Sequence, residues 1–350
     1  MIKIDSKILI LWYKKSNYKM PWRDTRDPYK IWISEIMLQQ TQVKTAINYY
    51  NKWMNVLPSV DDVAKTNIDT ILKLWEGLGY YKRAHNLHES SKIIVKKHNS
   101  KIPNNYNDLI NLKGIGDYTA SAILSIAFNK RYPAIDGNLK RVISRFKTLN
   151  TIQLNRSIKK IILNSMNNSN ASEINQALMD LGREICTPTQ PKCPLCPLLS
   201  NCKAFKVNQI SKYPQKAKTK PKPEFDVIVG LIYKNNNFLI SKRKKGGLLG
   251  GLWELPGGKK KPKETQLDCL EREIKEELDI KVDIRKKIGK IKHQYSHFSI
   301  NLIGYECQYK NGSPKPLSSD EIKWIKKNKI NNYAFPKSTI KLFSLLGNQI

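Results

Sequence analysis

Apolar residues recur at the three-and-four spacing of an amphipathic helix in six stretches of the first half: 31–43, 68–75, 119–127, 139–146, 158–163 and 174–181. Short Gly, Pro and Asn breaks separate them, so this half predicts helices throughout. The opening run, MIKIDSKILILWYKKSN, threads charges through its apolar pattern and has no small-residue cleavage site. It predicts an amphipathic first helix and not a signal peptide. The pattern changes at Phe225. There FDVIVGLIY, an Asn-rich turn and FLISKRK predict a β-hairpin. Residues 264–278 predict a helix, residues 281–291 and 298–309 predict strands, and the mixed run from Ser319 is expected to be helical. Between the halves, residues 211–223 (SKYPQKAKTKPKP) hold five lysines, three prolines and no acid, the composition of a tether. The expected architecture is multidomain: an all-α domain over residues 1–208, a basic linker over 209–224, and an α+β domain over 225–350.

Composition narrows the partner. The formal charge is +33, from 62 basic and 29 acidic residues, and such an excess fits a polyanion, of which nucleic acid is the usual one. Part of it reflects a bias toward Lys, Asn and Ile across the whole chain and belongs on solvated faces. No stretch approaches the ~20 apolar residues that span a bilayer. The expectation is a soluble monomer of a bacterial cytoplasm, without a membrane partner. Six cysteines occur, four of them within residues 186–202. Without a secretion signal, metal ligation explains such crowding better than disulfides do. Cys269 and Cys307 stand alone and are expected to be buried thiols.

Four segments carry chemistry. In LKGIGDYTASAILS, residues 112–125, Gly114 and Gly116 end one helix and expose backbone N–H groups at the start of the next, a ready anion site. Alone this is a weak signal, since a plain helical turn has the same pattern. About twenty residues on, Asp136 precedes Gly137 and a helical run, where Asp is ordinarily an N-cap. In PWRDTRDPYKIWISEIMLQQTQV, residues 21–43, Glu35 has the apolar neighbours Ile33, Ile36 and Met37. A solvated glutamate would not need them, and burial would raise its carboxyl into the range of a general acid. The fourth segment is Cys186-x6-Cys193-x2-Cys196-x5-Cys202. With a single C-x-x-C it departs from the paired pattern of zinc sites and suits a four-iron, four-sulfur (4Fe–4S) cluster.

Together these segments resemble the helix-hairpin-helix DNA glycosylase superfamily. The cysteine spacing matches the cluster loop of endonuclease III and MutY proteins, and residues 21–43 resemble the adenine glycosylases of the MutY family. The resemblance runs from Pro21 to about Tyr309. It implies a hydrolase that flips adenine from an A·8-oxoguanine or A·G mispair in double-stranded DNA and cuts its N-glycosidic bond. It also implies roles. Glu35 protonates adenine, and Asp136 stabilises or captures the oxocarbenium ion. Tyr118 and Asn138 support the transition state, while Arg23 and Asp180 line the base pocket. Gln40, Thr41 and Tyr80 enter the stack around the lesion, and Gly114 and Gly116 grip a phosphate. Related enzymes that also cut the strand carry a lysine two residues after the second hairpin glycine. Here that residue is Tyr118, so base removal without strand cleavage is expected.

The second half resembles the Nudix fold. HQYSHFS contains Tyr295, Ser296 and His297, which resemble the loop that recognises 8-oxoguanine, with Tyr in place of the first Phe. A hydroxyl at Ser296 can accept from the N7 proton that only the oxidised base carries. Gly258-x5-Glu264-x7-Arg272-Glu273 nearly completes a Nudix box, departing at Asp279. Glu273, Glu276 and Glu277 would share a helical face suited to Mg²⁺. The alternatives are therefore a bifunctional oxidised-pyrimidine glycosylase/lyase, which Tyr118 opposes, and a Mg²⁺-dependent nucleotide pyrophosphohydrolase. A lesion-binding module without catalysis is opposed by the presence of both Glu35 and Asp136.

Overall fold

The apolar stretches of the first half fold as helices whose buried stripes meet in shared cores. The computed structural model describes residues 4–16, 18–149, 154–166, 170–215 and 221–349. Its contacts form two units: Met1–Lys65 with Asn86–Lys218, and Thr66–His85 with Thr219–Ile350. Composition placed a boundary near residue 208 and gave residues 66–85 to the helical half. The contacts that hold those residues in the second unit span 165 positions for His85 and Gly250 and 259 for Glu76 and Phe335. No local pattern encodes such pairings. The middle of the basic tether, residues 216–220, lies outside the described residues.

In the first unit, the helix Gly137–Lys147 buries Leu139, Val142, Ile143 and Phe146, an i, i+3, i+4, i+7 stripe. That stripe packs on Ile158 and Ile162 of the helix Leu154–Ser165 and on Ile174 and Leu178 of the helix Ala171–Asp180. Each such side chain contributes about 1.5–3 kcal/mol on burial. The opening run forms the helix Ser6–Ser16, with Leu9 in the same core. The stretch 31–43 is not one helix. Pro28–Leu38 ends, Gln40 takes a left-handed φ of 58°, and Val43–Val56 begins. The polar run from Gln39 to Gln42 interrupts the apolar stripe, so nothing rewards helix continuation there.

The second unit is a mixed sheet. Its strands are β1 (Glu224–Lys234), β2 (Asn237–Arg243), β3 (Trp253–Glu254), β4 (Gly257–Lys259), β5 (Ile280–Gln294), β6 (Ser299–Gly312) and β7 (Ser319–Lys326). The order is β3-β2-β1-β6-β5, with β4 on β1 and β7 on β2. The hairpin β1–β2 is antiparallel and β1–β6 is parallel. Alternation along β1 sends Ile228 and Ile232 to one face and Val229 and Leu231 to the other. The first face is covered by the helix Gln266–Leu278 through Cys269, Leu270, Ile274 and Leu278, and the second by Leu342 and Phe343 of the helix Lys337–Phe343. Cys269 and Cys307 are buried thiols, as expected. Residues 319–326 are a strand and not the start of a helix. The run is too short for periodicity to separate the two, and the edge of β2 supplies its hydrogen bonds.

Candidate active site

Three short sequence devices point side chains into one cavity of about 350 Å³ in the first unit. Asp27 caps the helix Pro28–Leu38 by accepting from the Tyr29 N–H at 2.8 Å, and this helix is so deeply packed that Glu35 is only 5% exposed. Gly114, at φ 81°, lies so close to Asn86 that an added Cβ would sit 2.9 Å from the Asn86 Cβ. It turns the chain into the helix Asp117–Ile126, whose first turn carries Tyr118. Gly116 is that helix's N-cap and offers no side-chain acceptor, so its first N–H groups have no side-chain cap. Asp136 caps the helix Gly137–Lys147, accepting from the Leu139 N–H at 2.7 Å, and lines the same cavity. The cap and the cavity position are held by one side chain.

Arg23, Glu35, Thr41, Tyr118, Asp136 and Asn138 all reach the cavity, and among the described residues no lysine lines it. The Tyr118 hydroxyl donates to Glu35 Oε2 at 2.8 Å. Burial pushes the Glu35 carboxyl up, as does the charge of Asp136, while the Tyr118 bond and Arg23 pull it down. Burial also raises Asp136, against the N–H groups of Leu139 and Asn138 and the Arg141 guanidinium, all of which favour its charged form. Burial, reinforced by the two carboxylates, lifts Tyr118 well above a free phenol, so its hydroxyl stays a donor.

Asp180 was expected on the pocket wall. It sits behind the wall instead, at 0% exposure, bonded to Arg23 Nη2 at 2.8 Å and to Arg183 at 3.1 Å. A buried carboxylate of this kind is tolerable because two guanidiniums pair it. Gln176, which also lines the cavity, accepts from Arg23. Sequence reading missed Gln176, Arg183 and Arg141. Arg141 donates to Asn138 Oδ1 at 2.8 Å, to the Gly182 carbonyl at 2.6 Å and to the Cys186 carbonyl at 2.7 Å. Two of those partners lie more than forty residues away, so no motif spacing announces it.

The four cysteines of the loop carry free thiols. Cys186, Cys196 and Cys202 pack against the core that holds Ile185 and Leu198. Burial pushes Cys196 up to about 12 and raises Cys193 and Cys202, and each of the three also feels neighbouring loop cysteines. Arg145 donates to Thr187 O at 2.7 Å and Pro188 O at 2.9 Å, and its Nη1 lies 3.5 Å from Cys186 Sγ. Among the described residues, no three His, Cys, Asp or Glu side chains converge as ligands of one metal ion.

In the second unit, Tyr80 occupies a turn with Gly77 at φ 90° and Gly79 at φ 79°. Tyr80 itself has φ 49°, a conformation that costs a non-glycine residue on the order of 1–3 kcal/mol. Its hydroxyl meets that of Ser296. Ser296 and His297 are exposed between β5 and β6, while Tyr295 is half-buried against His293 and Phe298 and lies 3.3 Å from the Ser338 hydroxyl. Gln40 is exposed on its left-handed turn.

The Nudix-box acids are engaged by Arg272 and by a backbone N–H. Glu273 and Glu277 line a second cavity of about 420 Å³ with Glu254, which burial lifts to about 7. Glu276 is 54% exposed and engages Arg272 at 3.2 Å. Arg272 also binds Glu264 at 2.8 Å and Glu273 at 2.7 Å, and Glu277 accepts from the Gly257 N–H at 3.0 Å. Of the set expected to bind Mg²⁺, Glu273 and Glu277 line this cavity, while Glu276 shares the Arg272 guanidinium with Glu273 and stands at the exposed side of that ion pair.

Residues 33–167 match the HhH-GPD superfamily of base excision DNA repair proteins, and residues 228–345 match the NUDIX domain. The adenine DNA glycosylase of Buchnera aphidicola subsp. Schizaphis graminum (strain Sg) is 36% identical over 307 residues, covering 86% of this chain and 87% of the relative. The chain belongs to the adenine DNA glycosylase family. The human family member is 27% identical over 401 residues, covering 97% of this chain and 73% of its own. The solved structure of a thermostable thymine-DNA glycosylase aligns with a TM-score of 0.52 at 28% identity, over 58% of this chain and 95% of that one. Membership makes the protein a monofunctional glycosylase of base excision repair, a hydrolase with the helix-hairpin-helix and Nudix-like architecture expected from its residues. No helix among the described residues is long and apolar enough to cross a membrane.

Proposed function

We propose that this chain removes adenine mispaired with 8-oxoguanine, or with guanine, from double-stranded DNA and leaves both strands intact. The observation that carries the reading is the meeting of Glu35 and Asp136 in one cavity, with Tyr118 bonded to Glu35. Adenine leaves readily only when protonated at N7. Glu35, raised by burial, holds the proton to be transferred, and the Tyr118 hydroxyl stabilises the carboxylate left behind. Asp136, fed by two helix N–H groups, acts as the carboxylate beside C1′, where the oxocarbenium charge develops. Asn138, held by Arg141, supports that charge, and Arg23, anchored by Asp180, closes the base pocket. Gly114 and Gly116 present the helix start to a phosphate. Gln40, Thr41 and Tyr80 enter the stack, and Ser296, flanked by Tyr295 and His297, reads the oxidised base.

Cys186, Cys193, Cys196 and Cys202 form the ligand set of a 4Fe–4S cluster in this reading. An all-thiol donor set and the Arg145 cation beside Cys186 fit such an anionic group. Bound, it supplies cross-links that fix the loop. The protein acts as a monomer in the bacterial cytoplasm.

The test is a duplex with a labelled adenine strand opposite 8-oxoguanine, incubated with wild type, Glu35→Gln and Asp136→Asn, then resolved before and after hot alkali. Cleavage only after alkali, with wild type alone at full rate, is expected. Cleavage before alkali, or full activity in Asp136→Asn, would overturn the reading.

A further inference from the structure

Arg83 is buried to 8% exposure, which pulls its guanidinium down to about 10. Its partners include groups of the turn that carries Tyr80. The Cζ atom lies 5.2 Å from the Trp75 ring centroid and 5.6 Å from that of Tyr80. Nη2 donates to the Gly79 carbonyl at 2.9 Å, and the Arg83 backbone N–H donates to the Tyr80 carbonyl at 2.9 Å. The Gly79 carbonyl also accepts from Trp75 Nε1 at 3.1 Å. The turn is thus tied at its base, while Tyr80 above it is 40% exposed.

We propose that Arg83 is the positioning residue for Tyr80: its guanidinium, lying against the Trp75 and Tyr80 rings and bonded to the Gly79 carbonyl, holds the exposed ring in the pose from which it enters the base stack. The inference rests on the wedge role of Tyr80 proposed above and identifies a source of the wedge's rigidity at its base, beside the Ser296 contact at its hydroxyl. A tyrosine at the end of a two-glycine turn would otherwise sample several rotamers, and each encounter with DNA would bear the entropy of ordering it. Seating one ring face on a cation settles that ordering during folding. Arginine suits the task because its guanidinium is a flat plate that stacks and donates at the same time. Lysine offers a point charge on a flexible stem.

The experiment is a double-mutant cycle on the full chain. The probe is a duplex with 8-oxoguanine opposite 2′-fluoro-2′-deoxyadenosine, which resists glycosidic cleavage. Its Kd is measured for wild type, Arg83→Gln, Tyr80→Ala and the double variant, and the cycle is repeated with Arg83→Lys. Arg83→Gln is expected to weaken binding about tenfold, the size of a desolvated cation–π contact, and less than about twofold once Tyr80 is Ala. Arg83→Lys is expected to fall between wild type and Arg83→Gln. An equal loss on both backgrounds, or no loss on either, would overturn the proposal, because Arg83 would then act without Tyr80. Thermal melting accompanies every variant. If Arg83→Gln loses its cooperative transition, the cycle is read on Arg83→Lys, and loss in both would make Arg83 a stability residue and end the proposal. Tyr80→Ala binding as tightly as wild type would instead remove the wedge reading itself, a separate outcome.

Discussion

The Tyr118 hydroxyl donates a 2.8 Å hydrogen bond to Glu35 Oε2, joining two side chains 83 positions apart. Burial drives the Glu35 carboxyl up, and this bond is the first influence pulling it back down. Tyr118→Phe removes the donor without changing the ring. Adenine release is expected to slow about tenfold to a hundredfold, the range for a hydrogen bond to a charged group. The basic limb of its pH profile should move upward. Single-turnover rates across pH check both, and an unmoved limb would detach Tyr118 from the acid.

The pH profile follows from two carboxyls with opposite duties. Glu35 must be protonated, so activity is lost as pH rises through its raised pKa. Asp136 must be ionised, so activity is lost as pH falls through its pKa, which is also raised. A bell is expected whose acid limb lies above that of an ordinary aspartate and whose basic limb lies above that of an ordinary glutamate. Glu35→Gln should lose about 10²–10⁴ in rate, the usual share of a general acid, and abolish the basic limb. Rates of the variant between pH 4 and 9, roughly the span of shifted carboxyls, test this.

Asp136 joins a cap to a cavity, and two substitutions separate them. Asn caps helices as well as Asp does, so Asp136→Asn should keep the melting temperature while losing the rate. Asp136→Ala loses the Leu139 bond as well and should also cost about 1 kcal/mol of stability. Melting curves and rates on one preparation distinguish the roles. A destabilised Asn variant would contradict the cap.

Arg145 ties the cysteine loop by carbonyl bonds to Thr187 and Pro188 and lies beside Cys186 Sγ. Arg145→Gln is expected to lower bound iron per chain, as is Cys193→Ser. Iron analysis of the purified proteins decides it, and wild-type iron in both would argue against the proposed ligand set.

Tyr80 and Ser296 meet through their hydroxyls across 216 positions. Tyr80→Phe and Ser296→Ala should each narrow the preference for A·8-oxoguanine over A·G, and the double variant should add little to either. Additive losses would mean that the two hydroxyls act independently.

Much of the fold was legible because it is local. Helical periodicity, the hairpin glycines, the Asp136 cap and the cysteine spacing are set by neighbours within a few residues, where steric and hydrogen-bond preferences act directly. The same locality explains the errors. Periodicity ran a helix through Gln40 and could not recognise residues 319–326 as a strand, since that depends on the free edge of β2. The family motifs pointed to Glu35, Tyr118 and Asp136, but only packing brings them into one cavity and raises both carboxyls, because burial depends on the whole surroundings of a group. Packing also sets Asp180 behind the wall, gathers Glu264, Glu273 and Glu276 on Arg272, and seats Arg83 beneath Tyr80. Each of these is an arginine meeting partners in three dimensions, and the sequence spacing of charges does not specify which partner a long guanidinium side chain will find.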